Sequence, residues 1–183
     1  MRIERLAAAW DLKVAWVHFP LHPETPAEGR TLEDLFAGRG FDLAAMRARL
    51  VELMAEEGLP YGDRSRTYNS RLAQELGKWA DGQEGGEAIH DALFRAYFVD
   101  GENIGRAEVL LPLAERLGLD AAGAAEVLER RTFSAAVDRD WQRSRELGIT
   151  GVPTFVAGGF GVVGAQPYGV LEELVAKAGA ARR

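Results

Sequence analysis

Few residues of this chain could do acid, base, nucleophilic or ligand chemistry, and one type is missing. There are three histidines and no cysteine among 183 residues, which puts thiolate catalysis, disulfides and sulfur-ligated metal out of reach of these residues. His18 and His22 flank Phe19-Pro20-Leu21, and two histidines at the end of a strand are conceivable metal ligands. No third ligand stands nearby, and His90 falls in a helical pattern without an H-x-x-x-H partner, so packed or solvated histidines are the simpler reading. Ser65, Ser70, Ser134 and Ser144 lie outside any G-x-S-x-G context, which argues against a serine hydrolase. Gly159-Phe160-Gly161-Val162-Val163-Gly164 matches G-x-G-x-x-G, but it spans a hairpin turn and a strand. The acidic residue needed about 20 positions later would fall beyond Arg183. Glu52, Glu56 and Glu57 read as a solvated helix face. Trp10, Trp16, Trp79 and Trp141 sit at apolar positions of their elements and read as core.

The most informative stretch is Ile149-Thr150-Gly151-Val152-Pro153-Thr154-Phe155. A proline among β-branched and aromatic residues cannot donate a ladder hydrogen bond, so it marks a strand start or a sheet edge. X-Pro is also the one bond at which a cis peptide is inexpensive. On spacing alone, an ordinary proline at a strand start explains Val152-Pro153 equally well.

The elements that must position this loop follow from periodicity. Ile3, Leu6 and Trp10 predict a short helix over residues 2–10. Leu12 to Phe19 is apolar on both faces and predicts a strand covered on both sides. Three prolines between residues 20 and 26 end it. Leu43, Met46, Leu50, Leu53 and Met54 give a helix stopped by Gly58. Leu72, Leu76 and Trp79 give another over 69–81, and residues 82–86 form a loop. Ile89, Leu93, Tyr97 and Phe98 give a helix that stops near Asp100-Gly101. The next spans 106–117 with Gly118 as its cap, and its Pro112 should kink it or shift its start. Asp120 is the expected N-cap of a helix over 121–129. Thr132 is the expected cap of the next, with Phe133, Val137, Trp141 and Ser144 on one face and Gly148 at its end. Then the period changes. Residues 152–157 and 160–163 predict two short strands joined by Gly158-Gly159. Pro167 suits the first turn of a last helix, with Val170, Leu171, Leu174 and Val175 facing inward.

Length and composition fit one soluble globular domain with a sizeable core. A net charge of -6 with no basic stripe argues against a nucleic-acid partner. The start lacks the apolar core of a signal peptide, and no window approaches the 18 apolar residues of a membrane span. The expectation is a cytoplasmic protein with no membrane partner, no metal and no nucleic acid.

Three segments are similar to the DsbA-like thioredoxin family, in particular its cytoplasmic FrnE-type branch. That branch includes relatives of 2-hydroxychromene-2-carboxylate isomerase and kappa-class glutathione transferase. Phe19-Pro20-Leu21-His22-Pro23 with Pro26-x-Glu28-Gly29 resembles the segment after the family's second core strand. Tyr68-Asn69-Ser70 with Ala73, Lys78-Trp79-Ala80, and Ala96-Tyr97-Phe98 with Asn103-Ile104 resemble its helical insertion. Leu147 to Phe155 with Gly164-Ala165-Gln166 resembles its cis-proline hairpin.

The resemblance implies an α/β thioredoxin-like fold. Residues 1–29 and 149–183 would form the core, and residues 30–148 a large, all-helical insertion. It implies a thiol–disulfide oxidoreductase whose Pro153 is the cis-proline, with the Val152 backbone pairing with an extended substrate and Thr154 supporting the loop. The substrate would carry a disulfide or a thiol, in a protein or a small molecule. The second implied activity is a glutathione-dependent isomerase or transferase, with glutathione along the same Val152-Pro153 backbone. A third reading, of another class, is a non-catalytic protein that binds a peptide by strand addition.

The chain departs from the family at its start. The family's first strand leads into Cys-Pro-x-Cys at the beginning of a helix. Residues 2–6 resemble only the remainder of that helix, so the first core strand is expected to be absent and no catalytic residue is assigned. Two readings account for the gap: these residues are part of a longer protein, or a natural chain has lost redox chemistry and pairs strands between subunits as a homodimer. The first is preferred, because the helix tail and the proline loop match without evident adaptation.

Overall fold

Caps and left-handed glycines set most boundaries in the computed structural model, which describes residues 2–183. The elements are α1 (Arg2–Ala9), β1 (Arg30–Thr31), α2 (Leu32–Phe36), α3 (Leu43–Glu56), β2 (Arg66–Thr67), α4 (Arg71–Ala80), α5 (Ala88–Phe98), α6 (Ala107–Arg116), α7 (Ala121–Arg130), α8 (Ser134–Glu146), β3 (Thr154–Ala157), β4 (Phe160–Val163) and α9 (Tyr168–Lys177). They fall into two compact units, Met1–Leu21 with Arg139–Arg183, and His22–Asp138. Residues 22–29 thus belong to the helical unit, and residues 139–148 to the unit that carries the hairpin.

The helical unit is built on α4 to α7. Asp42 caps α3 by accepting the Ala45 N–H at 2.9 Å, and Asp120 caps α7 by accepting the Ala122 N–H at 3.1 Å. Each cap satisfies a donor that the first turn leaves without an intrahelical acceptor. Leu76, Ile89 and Leu110 are fully enclosed, with Trp79, Leu113 and Val127 around them. Burial of each large aliphatic side chain contributes about 1.5–3 kcal/mol. Gly86 allows the turn between α4 and α5, since a Cβ there would stand 1.8 Å from the Ala80 carbonyl oxygen.

The side-chain amides of Asn69 and Asn103 hold the proline-rich loop of this unit. Asn69 Nδ2 donates to the Pro23 and Thr25 carbonyls at 3.1 and 2.9 Å, and Asn103 Nδ2 donates to the Ala27 carbonyl at 2.8 Å. The insertion is not all-helical. Arg30 pairs with Thr67 and Thr31 with Arg66 in a two-residue antiparallel ladder, too short to leave a period-2 signal in the sequence. α2 also lies outside the predicted set. It begins at Thr31, whose hydroxyl accepts the Asp34 N–H at 3.1 Å.

The other unit places the hairpin β3–β4 on α9, and α9 on α1. Leu6, Trp10, Leu171 and Val175 form its core, with Phe155, Val162 and Leu12 packed against them. Its chain ends are tied: the Asp11 N–H donates to the Ala181 carbonyl at 2.8 Å and the Arg183 N–H to the Ala9 carbonyl at 3.0 Å. Pro167 stands as the N-cap of α9, one residue before its first turn.

Four expectations are corrected here. Residues 12–19 form no strand. A strand persists only when a neighbour takes its N–H and C=O groups, and neither two-stranded sheet extends to this segment. Val14, Trp16 and Val17 are consequently exposed, so Trp16 is not a core residue. The first turn of α8 begins at Ser134, after a turn at residues 132–133, rather than at a Thr132 cap. Pro112 does not shift the start of α6, which runs from Ala107 with the proline inside it.

Candidate functional site

The proline loop leaves α8 through a glycine. Gly148 has φ +66, a left-handed conformation that glycine adopts without steric cost. Its N–H donates to the Arg145 carbonyl at 3.0 Å and the Ile149 N–H to the Ser144 carbonyl at 2.9 Å, which closes the helix end and sends the chain outward. The Val152–Pro153 peptide bond is cis. Val152 is 49% exposed and Pro153 is exposed too.

Two hydrogen bonds fix the loop from either side. Thr154 Oγ1 donates to the Gly151 carbonyl at 2.7 Å, spanning Val152 and Pro153. The Gly164 N–H donates to the Pro153 carbonyl at 2.7 Å, which extends the hairpin ladder by one pair. Beyond β4, Gln166 Nε2 donates to the Val163 carbonyl at 2.6 Å, and Arg2 Nη1 donates to the Gln166 carbonyl at 2.7 Å. The helix α1 and the return strand thus brace the loop within one unit.

The register shows which backbone groups remain available. Thr154 stands opposite Val163, Phe155 opposite Val162, Val156 opposite Gly161 and Ala157 opposite Phe160. Because the Gly164 N–H bonds to the Pro153 carbonyl, Phe155 and Ala157 are the bonded positions of the alternating ladder. Thr154 and Val156 are not, and their N–H and C=O groups point away from β4. Among the described residues no other strand joins this side of β3. Phe155 and Val162 face the core, whereas Val156 and Val163 lie on the other face and are exposed. The site is therefore an exposed loop running into an open strand edge with an apolar face.

This arrangement brings Val152, Pro153 and Thr154 together in one exposed loop that runs into β3. It supplies no nucleophile and no titrating group. Among the described residues no cluster of histidine, aspartate and glutamate is arranged to hold a metal. His22 lies 3.9 Å from Glu24, and burial holds its pKa below the usual histidine value. The backbone N–H of His18 donates to Asp140 Oδ2 at 3.1 Å. The resemblance implied that Thr154 supports the loop, but neither its partner Gly151 nor the Gln166 brace was named from the sequence. The hydroxyl of Thr154 three residues after Gly151 was the legible signal for the first.

Known proteins share this fold. A probable DsbA oxidoreductase from Streptomyces coelicolor has a crystal structure that superposes with a TM-score of 0.86, at 30% identity over 97% of this chain and 81% of that one. A 2-hydroxychromene-2-carboxylate isomerase superposes with a TM-score of 0.74, at 20% identity over 97% of this chain and 85% of that one, a likeness of fold. The uncharacterised protein YwbO of Bacillus subtilis is 27% identical over 90% of this chain and 82% of its own length. The DSBA-like thioredoxin domain matches residues 1–176. The chain, a thioredoxin-like α/β fold without cysteine, belongs to the DSBA-like thioredoxin domain family.

Proposed function

We propose that these residues form the substrate-docking part of a thiol–disulfide oxidoreductase site, and that they do not carry out the exchange by themselves. The observation that carries this reading is the exposed Val152–Pro153 loop, clamped by Thr154 and continuous with the open edge of β3. An extended segment bearing a thiol or a disulfide would lay its backbone along Val152 and be held in register by main-chain hydrogen bonds. Exchange needs a thiolate that attacks a disulfide sulfur, and the sequence holds none. The finer assignment, to the cytoplasmic FrnE-type branch, rests on the resemblance of the Leu147 to Phe155 and Gly164-Ala165-Gln166 segments.

The same backbone suits glutathione, itself a short extended thiol peptide, and this is the small-molecule form of the proposal. A second reading, strand capture of a peptide without redox chemistry, is favoured by the open edge of β3 together with the missing sulfur. Amide chemical shifts during titration with reduced glutathione, and separately with an extended cysteine-free peptide, test all three. Shifts at Val152, Thr154 and Val156 with glutathione support docking of a thiol substrate. Shifts with the cysteine-free peptide alone support simple strand capture. Perturbation that spares this loop in both titrations removes the docking role. Turnover of insulin disulfides by the 183-residue chain would refute the prediction that it is inactive alone.

A further inference from the structure

Helix α3 lies in the helical unit, away from the proline loop in sequence, and most of its surface is open to solvent, although Arg47 pairs with Asp63 at 2.6 Å. None of its residues is buried, and among the described residues no other helix or strand makes an extensive contact with it. Yet its apolar positions follow a seven-residue pattern: Leu43, Met46, Leu50 and Leu53 stand three and four residues apart, the spacing of a two-helix seam. Met46 and Leu50, in the middle of that stripe, are 38% and 42% exposed, and Leu43 and Leu53 at its ends are half-buried. A lone exposed apolar residue needs no explanation, but neighbours on one helical face point to a covered surface.

The charges say what covers it. Arg47 and Arg49 lie in the first half of α3, Glu52 and Glu56 in the second. A helix favours acids near its start and bases near its end. Beyond the Asp42 cap, α3 has no acid in its first turn and no base in its last. A reversed polarity of this kind is mildly unfavourable in isolation and favourable beside an antiparallel copy of itself. With the dyad between Leu50 and Leu53, Leu50 of one chain meets Leu53 of the other. Arg49 and Glu56 flank the same side of the stripe one heptad apart, so each Arg49 faces the other chain's Glu56. Arg49 already contacts Glu52 at 3.1 Å, but both side chains are mostly exposed, and such a pair contributes little by itself.

We propose that α3 is a homodimer contact, packing antiparallel against α3 of a second copy about a two-fold axis, with Leu50 and Leu53 at its centre and Arg49–Glu56 pairs on its rim. A two-fold interface is self-complementary, and the polarity reversal along α3 meets that condition. One helix pair of 14 residues is small against a standard interface of about 800 Å² per partner. The dimer should therefore be weak, with Kd on the order of micromolar.

Sedimentation velocity from about 1 to 200 µM tests this. The expected result is a shift from the 20.0 kDa chain to twice that mass. Leu50→Glu should abolish the shift. Glu56→Arg alone should weaken it about tenfold or more by setting Arg49 against arginine, as should Arg49→Glu by setting two glutamates together. The double variant R49E/E56R should restore it. Glu56→Arg improves the charge at the helix end, so helical content by circular dichroism should hold or rise while the dimer weakens, separating the effect from unfolding. A wild-type chain that stays at 20.0 kDa throughout, or a dimer indifferent to Leu50→Glu and both single swaps, overturns the proposal. The same holds for a double variant no better than the singles.

Discussion

Glu75 shows how a single residue can join several helices. Its carboxylate is fully enclosed. Oε1 accepts from Arg71 Nε at 2.7 Å and Arg131 Nη2 at 2.8 Å, and Oε2 accepts from Arg131 Nε at 2.8 Å. Arg71 in turn donates to the Ser134 carbonyl and hydroxyl and pairs with Asp138 at 2.8 Å. Arg131 takes φ +55, an uncommon conformation for a side-chain-bearing residue, and its two-point grip on Glu75 holds it there. Burial works to raise the Glu75 pKa, but hydrogen bonds from Arg131 and Arg71 outweigh it and leave the group below the usual glutamate value. Removing one partner of a buried charged set strands the rest, so Glu75→Ala should lower the unfolding free energy by about 3–5 kcal/mol in urea titration at neutral pH. The sign of the pH effect follows from the lowered pKa. The stabilisation is complete above the ordinary glutamate pKa of about 4.3 and is lost as pH falls through the lower folded value. Glu75→Gln should flatten the stability–pH curve over that range, and a curve with unchanged slope would remove the assignment.

At the scale of elements, the hairpin turn is the part most tightly specified. Gly158 and Gly159 have φ of +55 and +84, both left-handed, as a two-residue turn with the native strand twist requires. A Cβ on Gly158 would also come within 2.8 Å of Ala178 Cβ and 2.9 Å of its Cα. Gly158→Ala should therefore cost more than about 1 kcal/mol, read as a drop in Tm. Gly159→Ala, with open space around it, should show only the backbone part of that cost. The Gly-Gly pair between two apolar runs made this turn legible in the sequence, as Asp120 and Gly118 did for the neighbouring helix boundaries. The helices α4 to α7 were legible because each buries one stripe at period 3.6. What failed did so for physical reasons. The β1–β2 ladder is too short to have a period, and the buried Glu75 set depends on residues 56 positions apart. Residues 12–19 have strand chemistry, but strand formation depends on a neighbour that periodicity does not report. The proline loop was legible as Gly151 to Phe155, whereas the Arg2 contacts that brace it span 163–164 positions.

At the scale of the whole molecule, two units with separate cores differ in how much of their backbone is secured. The helical unit closes most of its backbone hydrogen bonds within helices. The other unit has one four-residue hairpin, an open β3 edge and an irregular stretch at 12–19 with an exposed lysine in it. Limited trypsin digestion of the folded chain should therefore cut first after Lys13. Slow exchange of the amides of residues 13–17 with deuterium would contradict this. The irregular stretch has a further consequence. Leu12-Lys13-Val14-Ala15-Trp16-Val17 is β-prone, weakly charged and free of proline, the composition from which stacked cross-β fibrils grow. Held outside a sheet, it leaves Lys13 as its one charged gatekeeper. Neutralising that single amine, by acetylation or by Lys13→Val, would turn a segment outside any sheet into one that recruits copies of itself.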